Sequence, residues 1–323
     1  MKKNEENAPI HLSIVIPLHN EEDSVASLVD KILETADQFD FSYEIVLIDD
    51  GSTDRTWAII EGLAGGWIKA IKLRRNFGQT SAMVAGFEHA RGEIIVTMDG
   101  DLQNDPDDIP RLLKKMAEGY DIVSGWRKNR KDHLSRVFPS IVANHIISAT
   151  TGVRLHDYGC SLKAYQAKTI KAINAYGEMH RFFPALASMT GARVTEIPVK
   201  HHPRRYGISK YGPGRIYKVF SDIFAMNLII RFSTQPLKGF VYCALPFALL
   251  TILFGALSTL AFIHQWTAGK SMFFFIAAAL CGVAVIHMIY LGVLGEIFRN
   301  WNFRAQAHAP DIEMKEIAVI EDN

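Results

Sequence analysis

Residues 93–106 of the chain read Glu-Ile-Ile-Val-Thr-Met-Asp-Gly-Asp-Leu-Gln-Asn-Asp-Pro. The run at 93–97 predicts a buried strand. Asp99 and Asp101 follow where this strand ends, and their spacing lets both carboxylates point the same way. Such hard oxygen ligands suit Mg²⁺ or Mn²⁺, which also bridge to substrate phosphates. A solvated acidic turn before Pro106 is the alternative for an isolated Asp-x-Asp.

Strand and helix patterns alternate along the first part of the chain. Apolar runs predict strands at 10–18, 43–48, 68–73, 93–98 and 121–124, with helical patterns between them. This alternation predicts a mostly parallel α/β sheet. Ligands bind beyond the carboxyl ends of such strands, and polar clusters follow three of them, at 17–21, 49–52 and 99–101. The chain contains no GxGxxG after the first strand and no GxxxxGK[ST], which disfavours dinucleotide-binding and P-loop proteins.

Two long apolar segments predict a membrane hairpin near the C-terminus. Residues 239–263 carry no charge, and 272–298 contain only His287 and Glu296 as ionisable groups. Each exceeds the roughly 20 residues needed to cross a bilayer. Basic residues flank the pair on its outer ends, whereas the connector 264–271 has only Lys270, so we expect both flanks in the cytoplasm. Residues 214–232 fit an amphipathic helix on the inner leaflet and a packed surface helix equally well.

Composition restricts the class of protein further. The 323 residues carry a net charge of +1, which gives no electrostatic footprint for nucleic acid. The three cysteines have neither metal nor disulfide spacing, and His180 with His201–His202 matches no standard zinc set. The N-terminus lacks a signal-peptide core, so we expect a cytoplasmic domain. We divide the chain into a catalytic domain at 1–212, a juxtamembrane region at 213–236, a hairpin at 237–300 and a tail at 301–323. Whether the protein forms a homo-oligomer is left open.

Several motifs together resemble family 2 glycosyltransferases with a GT-A fold. They are Ile16–Glu22, Ile48–Ser52 and Asp99–Gln103. Further motifs resemble the polyprenyl-phosphate glycosyltransferases within that family: Arg75–Gln79, His156–Cys160, His180–Phe182 and Arg204–Tyr211. The resemblance covers about residues 10–305. One departure is His19, where the family more often has Tyr, and it concerns a stacking contact to the nucleotide base.

The resemblance implies a GT-A, Rossmann-like nucleotide-sugar domain followed by an amphipathic helix and two transmembrane helices. It assigns Asp99, Asp101 and Gln103 to the metal and diphosphate site, with Mg²⁺ or Mn²⁺ as the cofactor. A helix-capping role for Gln103 is equally favoured. Donor-binding residues implied in the same way are Pro17, Asn20, Glu21, Asp50 and Gln79. A helix cap is a second role for the 50–54 segment, and both roles can hold at once.

The expected acceptor is a polyprenyl phosphate at the membrane surface. Because this acceptor is already an anion, it needs positioning and charge control more than deprotonation. Basic and hydroxyl side chains suit phosphate recognition, and the candidates are Arg127, Arg136, Ser140, Arg205, Ser209 and Lys210. Arg136 and Ser140 lie one helical turn apart. An ordinary solvent-exposed charged surface is the alternative explanation for any one of these basic side chains.

Asp157 faces the reacting centre by resemblance. It either orients the acceptor or acts as a general base, and a hydrogen bond that only orders its loop is the third interpretation. We assign Asp157, Asp101 and Arg205 to the catalytic group.

The sequence therefore predicts an inverting transferase of the bacterial inner membrane. It moves a single sugar from a UDP- or GDP-sugar to polyprenyl (undecaprenyl) phosphate on the cytoplasmic face. A diacylglycerol or processive polysaccharide glycosyltransferase is one alternative, although the chain lacks the Gln-x-x-Arg-Trp signature typical of processive enzymes. A non-catalytic membrane protein that binds nucleotide sugars is the other.

Overall fold

The computed structural model describes residues 9–128, 147–148, 152–173, 177, 179–203, 232 and 235–307. The chain divides into two compact units, residues 1–223 and 224–323. Each unit is described by itself.

The first unit is built on a mixed sheet of seven described strands. They are β1 (Leu12–Leu18), β2 (Tyr43–Asp49), β3 (Ile68–Lys72), β4 (Ile94–Thr97), β5 (Ile122–Trp126), β6 (Lys163–Gln166) and β7 (Val194–Pro198), and their order is β3-β2-β1-β4-β6-β5-β7. β6 runs antiparallel to both β4 and β5, and all other pairs are parallel. The carboxyl ends of the parallel strands therefore lie at one edge, where β6 begins.

Helices cover both faces of this sheet because its inner strands are apolar on both sides. The helices are α1 (Val25–Ala36), α2 (Thr56–Leu63), α3 (Gln79–His89), α4 (Ile109–Met116), α5 (Ala167–Lys171) and α6 (Phe183–Met189). Ile14 of β1 joins the core cluster that includes residues of α1 and α4. Its neighbour Val15 joins the cluster on the other face with residues of α3 and α6. The alternation along each strand therefore fills two cores.

The structure confirms all five predicted strands and the mostly parallel arrangement. It adds β6 and β7, which the sequence interpretation did not include. β6 is only four residues long and contains Lys163, while β7 is half exposed. The helical pattern between β4 and β5 begins with a short 3₁₀ turn, Pro106–Asp108, before α4.

The second unit contains two long helices, α7 (Pro236–Ile263) and α8 (Ala268–Ala307). Both are long and apolar enough to cross a membrane, by length and composition. Large apolar side chains point outward from them, and Ile252 and Ile286 are each 70% exposed. Close contacts at Gly292 and Gly295, against Leu237 and Pro236, bring the two helices together. Small residues allow such close packing between apolar helices.

Candidate active site

The loops that follow β1 and β2 interlock at the carboxyl edge of the sheet. Asn20 donates its backbone N–H to Ser52 Oγ (2.9 Å), and Asn20 Oδ1 accepts from the Thr53 N–H (2.8 Å). Glu21 donates its N–H to Thr56 Oγ1 (2.8 Å). Asn20 has a φ of +54°, which Asn adopts more readily than most residues. Of the predicted donor wall, Pro17 lies in β1 and Asn20 and Glu21 lie in the cross-linked loops, and all three are half-buried.

Asp50 anchors a third loop to this edge. Its two carboxylate oxygens accept the N–H groups of Phe77 (2.8 Å) and Gly78 (2.9 Å). The approach is close because the next residue is Gly51, with a φ of +65°. A Cβ on Gly51 would lie only 2.4 Å from the Arg75 carbonyl carbon. Asp50 is thus buried and oriented, which positions the start of α3.

The acidic turn after β4 holds Asp99 and Asp101 in distinct environments. Asp99 is half-buried, and its Oδ1 accepts a 2.7 Å hydrogen bond from Gln79 Nε2. Asp101 is buried, and its Oδ1 accepts from the Gln103 N–H (3.1 Å). Leu102, which follows Asp101, has a φ of +61°, a conformation that costs a non-glycine residue of order 1–3 kcal/mol. The surrounding contacts hold the turn in this shape.

Hard oxygen donors dominate this turn, so its chemistry fits a magnesium-type cation. Asp99 and Asp101 supply carboxylates, and the Gln103 carboxamide nitrogen turns to the His202 carbonyl (3.4 Å). Within the described ranges, no group of three or more His, Cys, Asp or Glu side chains is arranged to hold a metal by itself. Mg²⁺ sites often use one or two carboxylates and complete their shell with water and substrate phosphates. Two strand-end carboxylates match that kind of site.

The chain just after β7 packs on the acidic turn. The His202 N–H donates to the Gln103 carbonyl (2.9 Å), and His201 forms an isolated bridge with Asn104. His202 Nε2 lies 3.0 Å from Asp105 Oδ2. These histidines therefore act as partners of the acidic loop.

Arg127 and Asp157 form a buried bidentate pair. Arg127 Nε lies 2.7 Å from Asp157 Oδ2, and Nη2 lies 2.9 Å from Oδ1. The two side chains are 14% and 8% exposed. Burial disfavours the charged guanidinium, but the hydrogen bonds and charge of Asp157 outweigh it and raise the pKa of Arg127. Asp157 also accepts from the Gly159 N–H (3.1 Å). The two residues, predicted in separate roles, are thus direct partners.

Five predicted lipid-phosphate residues lie outside the described residues: Arg136, Ser140, Arg205, Ser209 and Lys210. The structure also brings to the site three residues that the sequence interpretation did not select. They are Lys163, Tyr165 and Arg181, which border a small cavity beside Asp99. No signal in the sequence marks Lys163, because its burial distinguishes it and burial follows only from the pairing of β6 in the fold; lysine is almost never fully buried unless it is paired.

Comparison with known proteins identifies the family. Residues 13–173 match the model of glycosyl transferase family 2. The chain is 39% identical to dodecaprenyl-phosphate galacturonate synthase of Rhizobium johnstonii, over 95% of this chain and 93% of that protein. It is 37% identical to undecaprenyl-phosphate 4-deoxy-4-formamido-L-arabinose transferase of Edwardsiella ictaluri, over 94% and 97%.

A solved structure shares the fold of the first unit. Glucosyl-3-phosphoglycerate synthase from Mycobacterium tuberculosis, in complex with Mn²⁺, UDP and phosphoglyceric acid, superposes with a TM-score of 0.54. It is 18% identical, and the match covers 69% of this chain and 78% of that one. At this identity the likeness concerns the GT-A fold alone. From the near-full-length relatives, the chain belongs to glycosyltransferase family 2, among its polyprenyl-phosphate glycosyltransferases.

Proposed function

We propose that the protein transfers one sugar, with inversion, from a UDP- or GDP-sugar to undecaprenyl phosphate at the cytoplasmic face of the bacterial inner membrane. The observation that carries this proposal is the meeting of two charged groups at one sheet edge. The Asp99–Asp101 turn ends β4, and the Arg127–Asp157 pair follows β5. The first suits the donor diphosphate and the second suits an anionic acceptor. The relatives named for polyprenyl-phosphate products act on that class of acceptor.

On the donor side, Asp99, Asp101 and Gln103 would hold Mg²⁺ or Mn²⁺. When bound, the cation neutralises charge that develops on the departing nucleoside diphosphate. The similar fold was solved with Mn²⁺ and UDP, which supports a divalent ion. Pro17, Asn20, Glu21 and Asp50 line the nucleotide side, near β1 and β2. Gln79 fixes Asp99 through its 2.7 Å hydrogen bond and thereby orients one carboxylate before the donor arrives.

On the acceptor side, Arg127 is the residue that would contact the phosphate. A guanidinium held by Asp157 is rigid and remains charged, so it can orient a phosphate oxygen for attack on the anomeric carbon. We assign Asp157 the positioning of Arg127, because both of its oxygens already accept hydrogen bonds. A phosphate acceptor has little need for a general base. Arg136, Ser140, Arg205, Ser209 and Lys210 complete the proposed acceptor site.

The two apolar helices support a location for this chemistry at a bilayer. We propose that α7 and α8 cross the membrane and keep both ends of the hairpin in the cytoplasm. The charged ends of the hairpin support this orientation, with Lys238 in the first turn of α7 and Arg299 within the last part of α8. The proposed boundaries remain 1–212, 213–236, 237–300 and 301–323.

A membrane assay tests the function. Membranes containing the full-length protein receive Mg²⁺, polyprenyl phosphate and a panel of nucleotide sugars, and mass spectrometry detects the lipid product. We expect one sugar per lipid, loss of product on chelation, and loss of product in the Asp99→Ala, Asp101→Ala double variant. Asp30→Ala, which removes an exposed carboxylate from α1, is the matched control. Normal product from the double variant, or several sugars per lipid, would contradict the proposal.

A further inference from the structure

A small cavity opens beside Asp99 on the β6 side of the site. Its volume is about 40 Å³, and its lining includes Gln79, Asp99, Lys163, Tyr165 and Arg181. On the same scale, a cavity of roughly 10–15 Å³ holds one water molecule. The space therefore suits a single substituent of a sugar, such as a carboxylate, and is too small for a whole ring.

The strand order shows which part of a donor would reach this cavity. β4, which ends just before Asp99, lies between β1 and β6. The proposed nucleotide wall belongs to β1 and β2, on one side of β4. The cavity residues Lys163 and Tyr165 belong to β6, on the other side. A nucleotide sugar that crosses β4 with its diphosphate at Asp99 and Asp101 therefore brings its sugar toward the cavity.

Lys163 places a buried positive charge in the wall. The residue is 2% exposed, and its ammonium donates to the Tyr158 carbonyl at 3.0 Å. No carboxylate in the described part of the chain pairs with it at salt-bridge distance. Burial is the main cause that lowers the pKa of Lys163 to about 8. Cys160 and the Asp157 carboxylate act in the opposite direction, and the positive charges of Arg127 and Arg181 lower this pKa further. An anion in the cavity would offset the free-energy cost of burying the Lys163 charge.

Tyr165 adds an unused donor. The residue is fully buried, and its hydroxyl makes no hydrogen bond of good geometry within the described residues. The neighbouring Thr97 hydroxyl donates instead to the Ser161 carbonyl at 2.7 Å. A buried hydroxyl without a partner is costly, so such groups commonly mark a place where a ligand or water supplies the partner. Here the hydroxyl belongs to a residue that lines the cavity.

The wall holds one carboxylate, Asp99, whose Oδ1 accepts from Gln79 and which is assigned to the cation, beside three donor side chains. The Lys163 ammonium, the Arg181 guanidinium and the Tyr165 hydroxyl all offer hydrogen, and the first two are positive. We propose that the cavity binds the carboxylate of a hexuronic acid, so that the transferred sugar is a uronate. This inference rests on the proposed function. The two relatives described above are named for different sugars, one a uronate and one a neutral formamido sugar, so family membership does not decide between them.

Matched donor pairs test the inference. The full-length protein in detergent is given UDP-glucuronate against UDP-glucose, and UDP-galacturonate against UDP-galactose, with undecaprenyl phosphate as the acceptor. We expect kcat/KM to favour at least one uronate over its neutral partner by roughly tenfold or more, since one hydrogen bond to a charged group supplies about that factor. Equal or better use of both neutral sugars would overturn the inference.

Two variants connect the preference to the cavity. Arg181→Gln removes a positive charge, and Tyr165→Phe removes a hydroxyl that has no partner to lose among the described residues, so the second variant keeps the fold intact. Each should reduce the preference for the uronate severalfold. Arg193→Gln is the control, because Arg193 lies at the start of β7, at the edge of the sheet opposite the site. If Arg181→Gln and Tyr165→Phe lower the use of both donors of a pair equally, the cavity does not read the carboxylate.

Two further measurements distinguish a failure of the proposed function from a failure of the inference about the cavity. Donor affinity is measured by calorimetry without the acceptor, with Mg²⁺ present. If no donor yields a lipid product, the proposed function fails, and the ratio of donor affinities still decides the inference. Inorganic phosphate is the probe for a free-anion site. Competition that affects uronate and neutral donors equally would assign the cavity to a free anion and refute the uronate proposal, whereas competition selective for the uronate supports it.

Discussion

Replacing Asp157 by asparagine tests whether this carboxylate acts through Arg127 or directly on the acceptor. The wild-type pair has two short contacts, 2.7 and 2.9 Å, between side chains that are nearly buried. The carboxamide of Asp157→Asn would offer one acceptor oxygen in place of two and no charge. A hydrogen bond to a charged group contributes about 1.5–3 kcal/mol, so the loss of one corresponds to roughly a 10- to 150-fold change in an equilibrium or rate.

We therefore expect Asp157→Asn to lower kcat/KM for polyprenyl phosphate within that range. The effect should disappear when Arg127 is already absent: the double variant with Arg127→Gln should be no slower than Arg127→Gln alone. The assay is initial-rate transfer from a fixed nucleotide sugar across pH 5.5–9, combined with thermal unfolding to confirm folding. Arg111→Gln is the control, because it breaks another ion pair, between Arg111 on α4 and the buried Asp108.

Two results would refute this reasoning. The first is additivity, in which each single change retains its full effect in the double variant. The second is the loss in Asp157→Asn of an ascending limb in the pH–rate profile that Arg127→Gln keeps. Either result would mean that Asp157 acts on the acceptor independently, as a general base does.

Three further changes probe the fold, its electrostatics and its topology. Gly51→Ala should lower the free energy of unfolding by at least about 2 kcal/mol and impair donor binding, because its Cβ would meet the Arg75 backbone; an unchanged melting temperature would contradict this. Burial raises the pKa of Glu44, but hydrogen bonds and the Lys69 ammonium outweigh it and lower that pKa below its ordinary value. The charged form of Glu44 therefore stabilises the fold above its ordinary pKa, and Glu44→Gln should cost about 1 kcal/mol at pH 7, a gap that closes as the pH falls through the lowered pKa in denaturant titrations. A Thr267→Cys variant, otherwise free of cysteine, should react with an impermeant maleimide added outside intact spheroplasts; labelling only after lysis would reverse the proposed orientation.

Much of the fold could be predicted because its signals are local. β1 to β5 are apolar runs bounded by polar turns, and their alternation with helices indicates a parallel sheet. β6 gives no such signal, since Lys163–Gln166 is short and polar in part. Its position between β4 and β5 depends on pairing with strands far away in sequence. Contacts of this kind cannot be read from periodicity.

The candidate site likewise could be predicted only where its signals are local. The sequence indicated that Asp99, Asp101 and Asp50 follow strands, and the structure places them at one edge. The sequence did not indicate that the Asp50 carboxylate accepts hydrogen bonds from the backbone N–H groups of Phe77 and Gly78. Nor did it indicate that Arg127 and Asp157, 30 residues apart, form an ion pair. Both facts depend on backbone positions that only the folded chain brings together.

The antiparallel course of β6 has a consequence for how such enzymes diversify. Because β6 is reversed between two parallel neighbours, the segment that joins Trp126 to Lys163 leaves the sheet and re-enters it at the same edge. The sheet sets no length for a segment whose two ends are adjacent. The proposed acceptor-binding sequence can therefore lengthen, shorten or be exchanged there while β1, β2 and β4 keep the proposed donor side unchanged. A chimaera that swaps only residues 129–151 should change the lipid used and retain the sugar, because Arg127, Asp157 and the cavity residue Tyr158 stay in place.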